Sequence, residues 1–235
     1  MPVAKRAAPE NRLLSALPPK DRKRLLALCV PIDLEFAEIL CQPGDRIDYV
    51  YFPIDSLISL VTPIDGQPAL EVGMIGNEGM LGITLMLGVD DSPLHALVQG
   101  SGRALRLDTA AFRRELESCV PLQRRLNRYL YVLMGQFAQT AACTRFHVVE
   151  ARLARWMLMT RDRAHADVFH LTHEFLAYML GVRRVGITEA ASSLQKQRLI
   201  SYSRGDITID DRAGLEKIAC SCYLVDKQSY ERNLG

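Results

Sequence analysis

One stretch, Leu171 to Ile209, restricts the fold of this 235-residue chain more than any other. Thr172, Phe175 and Leu176 open a short helix whose buried side is Ala177, Met179 and Leu180. Gly181 follows, where a tight turn needs a positive φ that glycine adopts without strain. A second helix starts at Arg183-Arg184 and ends near Gln197, with Ile187, Ala190, Ala191 and Leu194 at helical spacing for the inward face. Leu199 to Tyr202 and Ile207 to Ile209 then flank Ser203-Arg204-Gly205-Asp206, the signature of a β-hairpin. Two helices, a turn and a hairpin make a winged helix-turn-helix.

The outer face of the second helix carries Arg183, Arg184, Thr188, Glu189 and Ser192, with Lys196 further along and Arg204 at the wing tip. Arg suits guanine and Glu suits cytosine in the major groove, so this set is the candidate DNA-binding surface. Whole-chain charge is only +2 and decides nothing, but Arg183 to Arg204 holds five basic residues against the single acid Glu189. Phosphate contact supplies much of the affinity in such interfaces, which makes the local charge the relevant one.

Upstream the periodicity changes twice. Residues 1–10 read as a disordered leader. From 11 to 118, short runs such as Ile39-Leu40-Cys41, Tyr49 to Phe52, Leu57 to Val61, Leu70 to Ile75, Ala96 to Val98 and Ala104 to Leu107 alternate with Gly, Pro and Asp turns. Such spacing indicates an antiparallel β-roll or barrel, with Met80 to Gly88 as a short helix lining its inside. Asp108-Thr109 caps a following helix, and Pro121 sits in the first turn of a long one running to about Thr144. Along it, Leu122, Leu126, Tyr129, Leu133, Gln136 and Thr140 recur at steps of four and three, a heptad-like seam that predicts a dimer helix over 119–145. Leu130, Phe137 and Ala141 form a second face for packing within the chain. Val148 to Arg163 is a further helix, Ala164 to Val168 a polar break, and Asp210-Asp211 begins a last helix through Cys220 towards Tyr230. The expected class is α+β: an N-terminal antiparallel β-roll sensor domain, a long dimerisation helix, and a C-terminal winged helix-turn-helix over 146–235.

The six cysteines are scattered without a CxxC pair, which predicts buried free thiols and no metal site; Cys220-Ser221-Cys222 alone is too sparse for redox or metal chemistry. No GxSxG, P-loop, HExxH or Rossmann fingerprint occurs, so no catalytic residue is assigned and an enzyme is not expected. No run approaches the roughly 18 apolar residues of a membrane span, and Met1 to Asn11 has no signal-peptide core, so a cytoplasmic protein is expected.

On these residues the chain resembles the Crp/Fnr family of bacterial transcription regulators. Leu171 to Ile209 is similar to its winged helix, the helix from Pro121 to its dimer helix, and Gln42-Pro43-Gly44-Asp45 through Phe52 with Gly73 through Gly82 to its cyclic-nucleotide-binding-type β-roll. The turn Leu180-Gly181-Val182 followed by Arg184 is the most specific part, since cAMP-responsive members carry a base-reading Arg where Arg184 stands. Those members follow it with Glu, where this chain has Val185, and place a second reading Arg where Glu189 stands. The ribose-binding Glu and phosphate-binding Arg are missing from Gly82-Ile83-Thr84 and Asp91-Ser92-Pro93-Leu94-His95, and the nearest Arg is Arg103 on a later strand. Residues 1–28 hold no cysteine for the iron–sulfur centre of the oxygen-sensing branch. The resemblance therefore implies a homodimer that binds a partly palindromic double-stranded operator, RNA polymerase as a further partner, and an effector other than cAMP or none, with Ile83, Thr84 and Ser92 as pocket candidates. Haem would need an axial ligand from His95, His147, His165, His170 or His173, each expected to be an ordinary solvated or hydrogen-bonded histidine. The competing reading is a ligand-binding or protein-interaction module that docks through the winged helix.

Overall fold

The computed structural model describes residues 10–64, 67–164, 166–203 and 205–235; the expected leader, 1–10, lies almost wholly outside them. Two short helices, α1 (Arg12–Ser15) and α2 (Pro19–Leu26), lead into seven strands: β1 (Val30–Leu34), β2 (Ile39–Cys41), β3 (Tyr49–Pro53), β4 (Leu57–Ile64), β5 (Gln67–Ile75), β6 (His95–Gly100) and β7 (Gly102–Asp108). They form two antiparallel sheets, ordered β1-β7-β3 and β2-β6-β4-β5. Alternation explains the layering: Val50 and Phe52 on β3, Ile58 and Leu60 on β4, and Ala96 and Val98 on β6 point into one core. A single 3₁₀ turn, Ile83–Leu87, enters between the sheets, where Ile83 and Leu85 are buried; this is the apolar insert expected over Met80 to Gly88.

Asp108 caps α3 (Thr109–Ser118) by accepting from the amides of Ala110 and Ala111. The long helix α4 (Val120–Phe146) has Pro121 in its first turn and, at 27 residues, runs roughly 40 Å. Its heptad-like seam does not face outward. Leu122, Leu126, Tyr129, Leu133, Gln136 and Thr140 are all buried within the chain itself, none more than 9% exposed. The Tyr129 hydroxyl donates to the Met80 carbonyl at 3.3 Å, and Gln136 Oε1 accepts from the Met74 amide at 3.3 Å. The seam assigned to a partner is thus the face that packs on the β-roll. A period of 3.5 marks an apolar stripe but not what covers it. Of the second face, Leu130 and Phe137 pack beside the same core, while Ala141 is exposed.

The C-terminal part comprises α5 (Val149–Ala164), β8 (Val168–His170), α6 (His173–Leu180), α7 (Arg184–Lys196), β9 (Ile200–Ser203), β10 (Asp206–Ile209), α8 (Arg212–Ile218) and α9 (Cys222–Leu234). The wing is a three-stranded sheet, β8-β10-β9. Its strand β8 falls at the end of the expected polar break; β1 was also unmarked in the sequence. The expected single last helix is two helices, because Ala219 takes extended backbone (ψ 143°) and ends α8.

The two parts share buried surface. Leu57, Val61, Ala69 and Met74 of the β-roll pack in one cluster with Trp156, Leu176 and Leu180. At its centre the Glu71 carboxylate accepts from Trp156 Nε1 at 3.0 Å and lies 2.6 Å from Ser59 Oγ. Ser59 Oγ is also 2.6 Å from Gln99 Oε1, and Gln99 Nε2 donates to Thr160 Oγ1 at 3.1 Å. Buried ion pairs Arg163–Glu78 and Arg155–Asp226, both 2.6 Å, tie α5 to the β-roll and to α9. Among the described residues no helix is long and apolar enough to cross a membrane.

Candidate nucleic-acid interface

The recognition helix α7 is held from behind. Thr172 Oγ1 caps α6 by accepting from the Phe175 amide at 3.1 Å, and Gly181 ends α6 at φ 61°, the left-handed turn expected of it. A Cβ on Gly181 would stand 3.2 Å from Leu70 Cδ1, so the turn also sits close against β5. Ile187, Ala190, Ala191 and Leu194 are buried beneath α7. Glu150 on α5 accepts from Ser193 Oγ and Gln197 Nε2, both at 2.9 Å, which fixes the helix along its length.

This leaves one continuous outer face. Arg183, Arg184, Thr188, Glu189, Ser192 and Lys196 are all exposed, as is Val185 at 60%. Arg183 is the N-cap and Arg184 the first helical residue; Arg183 makes no side-chain cap, and the Gly186 amide donates to the Arg183 carbonyl at 3.0 Å. The reading end therefore gathers Arg183, Arg184, Val185, Thr188 and Glu189. Lys196, twelve residues beyond Arg184, is roughly 18 Å further along the axis and belongs to a different part of the surface. Arg204 and His165 lie outside the described residues.

The Thr188 hydroxyl is not free. It donates to the Arg184 carbonyl at 3.1 Å and lies 3.0 Å from His173 Nδ1. Its one hydrogen goes to the carbonyl, so His173 must carry its hydrogen on Nδ1. His173 also stacks on Tyr202 of β9, with centroids 4.6 Å apart, and so joins both helices to the wing. Burial, with the Arg184 charge adding to it, lowers the His173 pKa and keeps the ring neutral. Among the expected site residues, Thr188 thus both braces the motif and fronts it. Val185 is a departure from the pattern of the family the sequence resembles, and its exposure at the reading end makes it a candidate for contact with a thymine methyl.

In the β-roll, Ile83, Thr84 and Ser92 line a cavity of about 210 Å³, together with Tyr51, Met80 and Leu133. The arginine at this cavity is Arg46, not Arg103. Arg103 is engaged by Asp55 at 2.6 Å, and Arg46, 79% exposed, stands at the rim.

The cysteines are not independent. Cys143 and His147 at the end of α4 meet Cys220 and Cys222 at the break between α8 and α9, with all four potential ligand atoms within 4.8 Å of one another. The hydrogen bond between the two thiols lowers Cys143, against burial and with help from the Arg155 charge, and raises Cys220. The spacing of these residues in the sequence marks no metal-ligand set, and His147 is hydrogen-bonded, as expected; the fold is what brings the four potential ligands together. The signals were present as Cys-x3-His, one helical turn apart, and Cys-x-Cys, but 77 residues separate Cys143 from Cys220.

A β-roll, a long helix and a winged helix with an open basic reading end define a DNA-binding regulator. Residues 151–218 match the family model of the Crp-like helix-turn-helix domain. Among solved structures, the chain is similar to FixK2 from Bradyrhizobium japonicum (13% identity, TM-score 0.69, 82% of this chain and 98% of that one). It is also similar to the c-di-GMP-responsive regulator CLP of Xanthomonas campestris (15%, 0.66, 81% and 98%) and to a CRP-family regulator from Thermus thermophilus (17%, 0.66, 80% and 96%). A search of curated proteins finds no match. The chain has the fold of these regulators, and its residues 151–218 match the Crp-like helix-turn-helix domain.

Proposed function

We propose that the protein is a homodimeric, sequence-specific transcription regulator acting in the cytoplasm on a partly palindromic operator. The observation that carries this reading is the α7 surface: every inward residue is buried and every polar residue of the opposite face is exposed. Arg183, Arg184, Val185, Thr188, Glu189 and Ser192 would meet base edges or flanking phosphates, with Lys196 and Arg204 on the backbone. Docking through the winged helix to a protein is the disfavoured alternative, since the Crp-like domain and its basic reading end both suit nucleic acid. RNA polymerase is the further partner the reading implies. Footprinting of the gene's own upstream region, repeated across salt concentrations, tests it. A protected two-fold site with salt-sensitive affinity is expected; no protected site would refute the proposal.

The dimer would form on the face of α4 that the chain leaves uncovered. Asn127, Tyr131, Met134, Ala138, Ala141 and Arg145 recur at heptad steps and are exposed, Tyr131 at 65% and Met134 at 61%. A Cβ on Gly135 would meet nothing within 4 Å, so this side has room for a second helix to approach. Ala138→Glu would set two carboxylates against each other across a two-fold axis. It is expected to move the protein from dimer to monomer in sedimentation at ~10 μM, where a Leu130→Ala control stays dimeric. An Ala138→Glu dimer would place the interface elsewhere.

An effector held in the β-roll would be a small, largely apolar molecule and not a cyclic nucleotide. The cavity is lined mainly by Leu, Ile, Met and Tyr, and its arginine points to the rim and not to an interior phosphate.

A further inference from the structure

Cys143 and His147 lie one turn apart on α4, so both side chains leave the same helical face. The backbone break at Ala219 turns Cys220 and Cys222 towards them. Cys143 Sγ and Cys220 Sγ are 3.4 Å apart, and Cys222 Sγ and His147 Nδ1 are 3.5 Å apart. A tetrahedral zinc ion with sulfur at about 2.3 Å and nitrogen at about 2.0–2.1 Å sets its ligands about 3.8 Å apart for sulfur–sulfur and about 3.6 Å for sulfur–nitrogen. Both measured edges fall within a few tenths of an ångström of those values. Clusters of two or four irons spread their thiolates over several metal centres, wider than a group held within 4.8 Å.

The surroundings fit a metal centre better than a patch of hydrophobic core. The three cysteines are buried against each other, and among the described residues Ala151 is the one partly buried apolar side chain packed on them. Structural cysteines in a core sit among aliphatic side chains instead. Gln139 Nε2 donates to Cys222 Sγ at 2.9 Å, the contact an outer-shell group makes to a ligating thiolate. Three thiolates and a divalent ion leave one negative charge, and two buried guanidinium groups stand near it, Arg152 and the Asp226-paired Arg155.

We propose that Cys143, His147, Cys220 and Cys222 bind one zinc ion as a closed structural site that pins α9 to the end of α4. His147 is the C-cap of α4, and α5 starts two residues later. The ion therefore sits at the joint between the long helix and the DNA-binding part, and holds the angle at which one leaves the other. This assignment is independent of the DNA-binding reading, because it is read from metal content.

The test uses the full chain purified under reducing conditions without chelator. Elemental analysis is expected to find one zinc per chain. After stripping, titration with cobalt is expected to give the visible and near-ultraviolet bands of a tetrahedral, thiolate-rich site in the unmodified protein, so the result does not depend on a variant folding. Cys222→Ser is expected to weaken zinc by more than the roughly 10- to 100-fold that loss of an outer-shell partner costs, and Cys29→Ser to leave it unchanged. Reduced, folded protein that takes up neither zinc nor cobalt would overturn the proposal. So would cobalt bands that persist unchanged in Cys222→Ser, or a Cys143–Cys220 disulfide in metal-free protein as isolated.

Discussion

Arg184→Ala is expected to weaken operator binding by about 10- to 100-fold per half-site, the loss that follows from a bidentate contact to guanine worth about 1–3 kcal/mol. The effect should be read as a loss of discrimination. Arg184 is the first residue of α7, exposed, with its own carbonyl held by Thr188, so its side chain leaves a fixed point of the backbone. Competition with non-specific DNA should therefore become more effective in the variant, with a smaller change in binding to random sequence. Lys196→Ala, at the far end of the same helix, should weaken specific and non-specific binding alike, as expected of a phosphate contact. Titration of labelled operator against both kinds of competitor separates the two. Equal loss in Arg184→Ala on operator and random DNA would remove Arg184 from base reading.

Glu71→Gln is expected to remove the loss of folding stability that Glu71 causes as pH rises towards neutrality. Burial pushes the Glu71 carboxyl up to about 7 from an ordinary 4.5, with the hydrogen bonds from Ser59 and Trp156 opposing it. The local geometry agrees: Ser59 has one hydroxyl hydrogen but two acceptors at 2.6 Å, Glu71 and Gln99. A proton on Glu71 lets it donate to Ser59 while Ser59 donates to Gln99. Because the folded pKa is raised, the stabilisation is fully present below about 4.5 and is lost as pH rises through about 7. The span corresponds to on the order of 3 kcal/mol. Melting temperature measured from pH 5 to 8 should show a drop towards pH 7 in the wild type that is missing from Glu71→Gln. Glu71→Ala should be destabilised throughout, since the Trp156 indole N–H is then buried without its acceptor, at about 1–3 kcal/mol. A Glu71→Gln profile parallel to the wild type would show that another group carries the linkage.

Local sequence was enough where a local interaction decides the structure. Thr172, Asp108 and Asp211 cap helices because a short polar side chain can reach the amides two or three residues on. Gly181 turns because it tolerates φ 61°. The hairpin of the wing and most strands of the β-roll follow from alternation and turn residues. The cavity candidates Ile83, Thr84 and Ser92 stand together in space, although the cavity wall is built by residues from five separated segments.

Where the sequence reading failed, the missing quantity was a partner from elsewhere in the chain. Leu122 to Thr140 carried the right period, but periodicity is the same whether a stripe meets its own β-roll or a second copy. β1 escaped notice because Val30-Pro31-Ile32-Asp33-Leu34 pairs with β7, more than 70 residues later on average, in spite of its proline. Cys143 and His147 looked like unrelated residues until the end of α8 brought Cys220 and Cys222 to them.

By itself, then, the sequence determined most of the elements, the outward face of α7 and its charge, since each is fixed by interactions within a few residues. Only the tertiary structure decided which face of α4 stays free, which arginine meets the cavity, and that four scattered ligands converge at the joint between the two halves. Those outcomes depend on how separate segments pack, and the energy that selects among packings is shared by residues that the order of the chain keeps far apart.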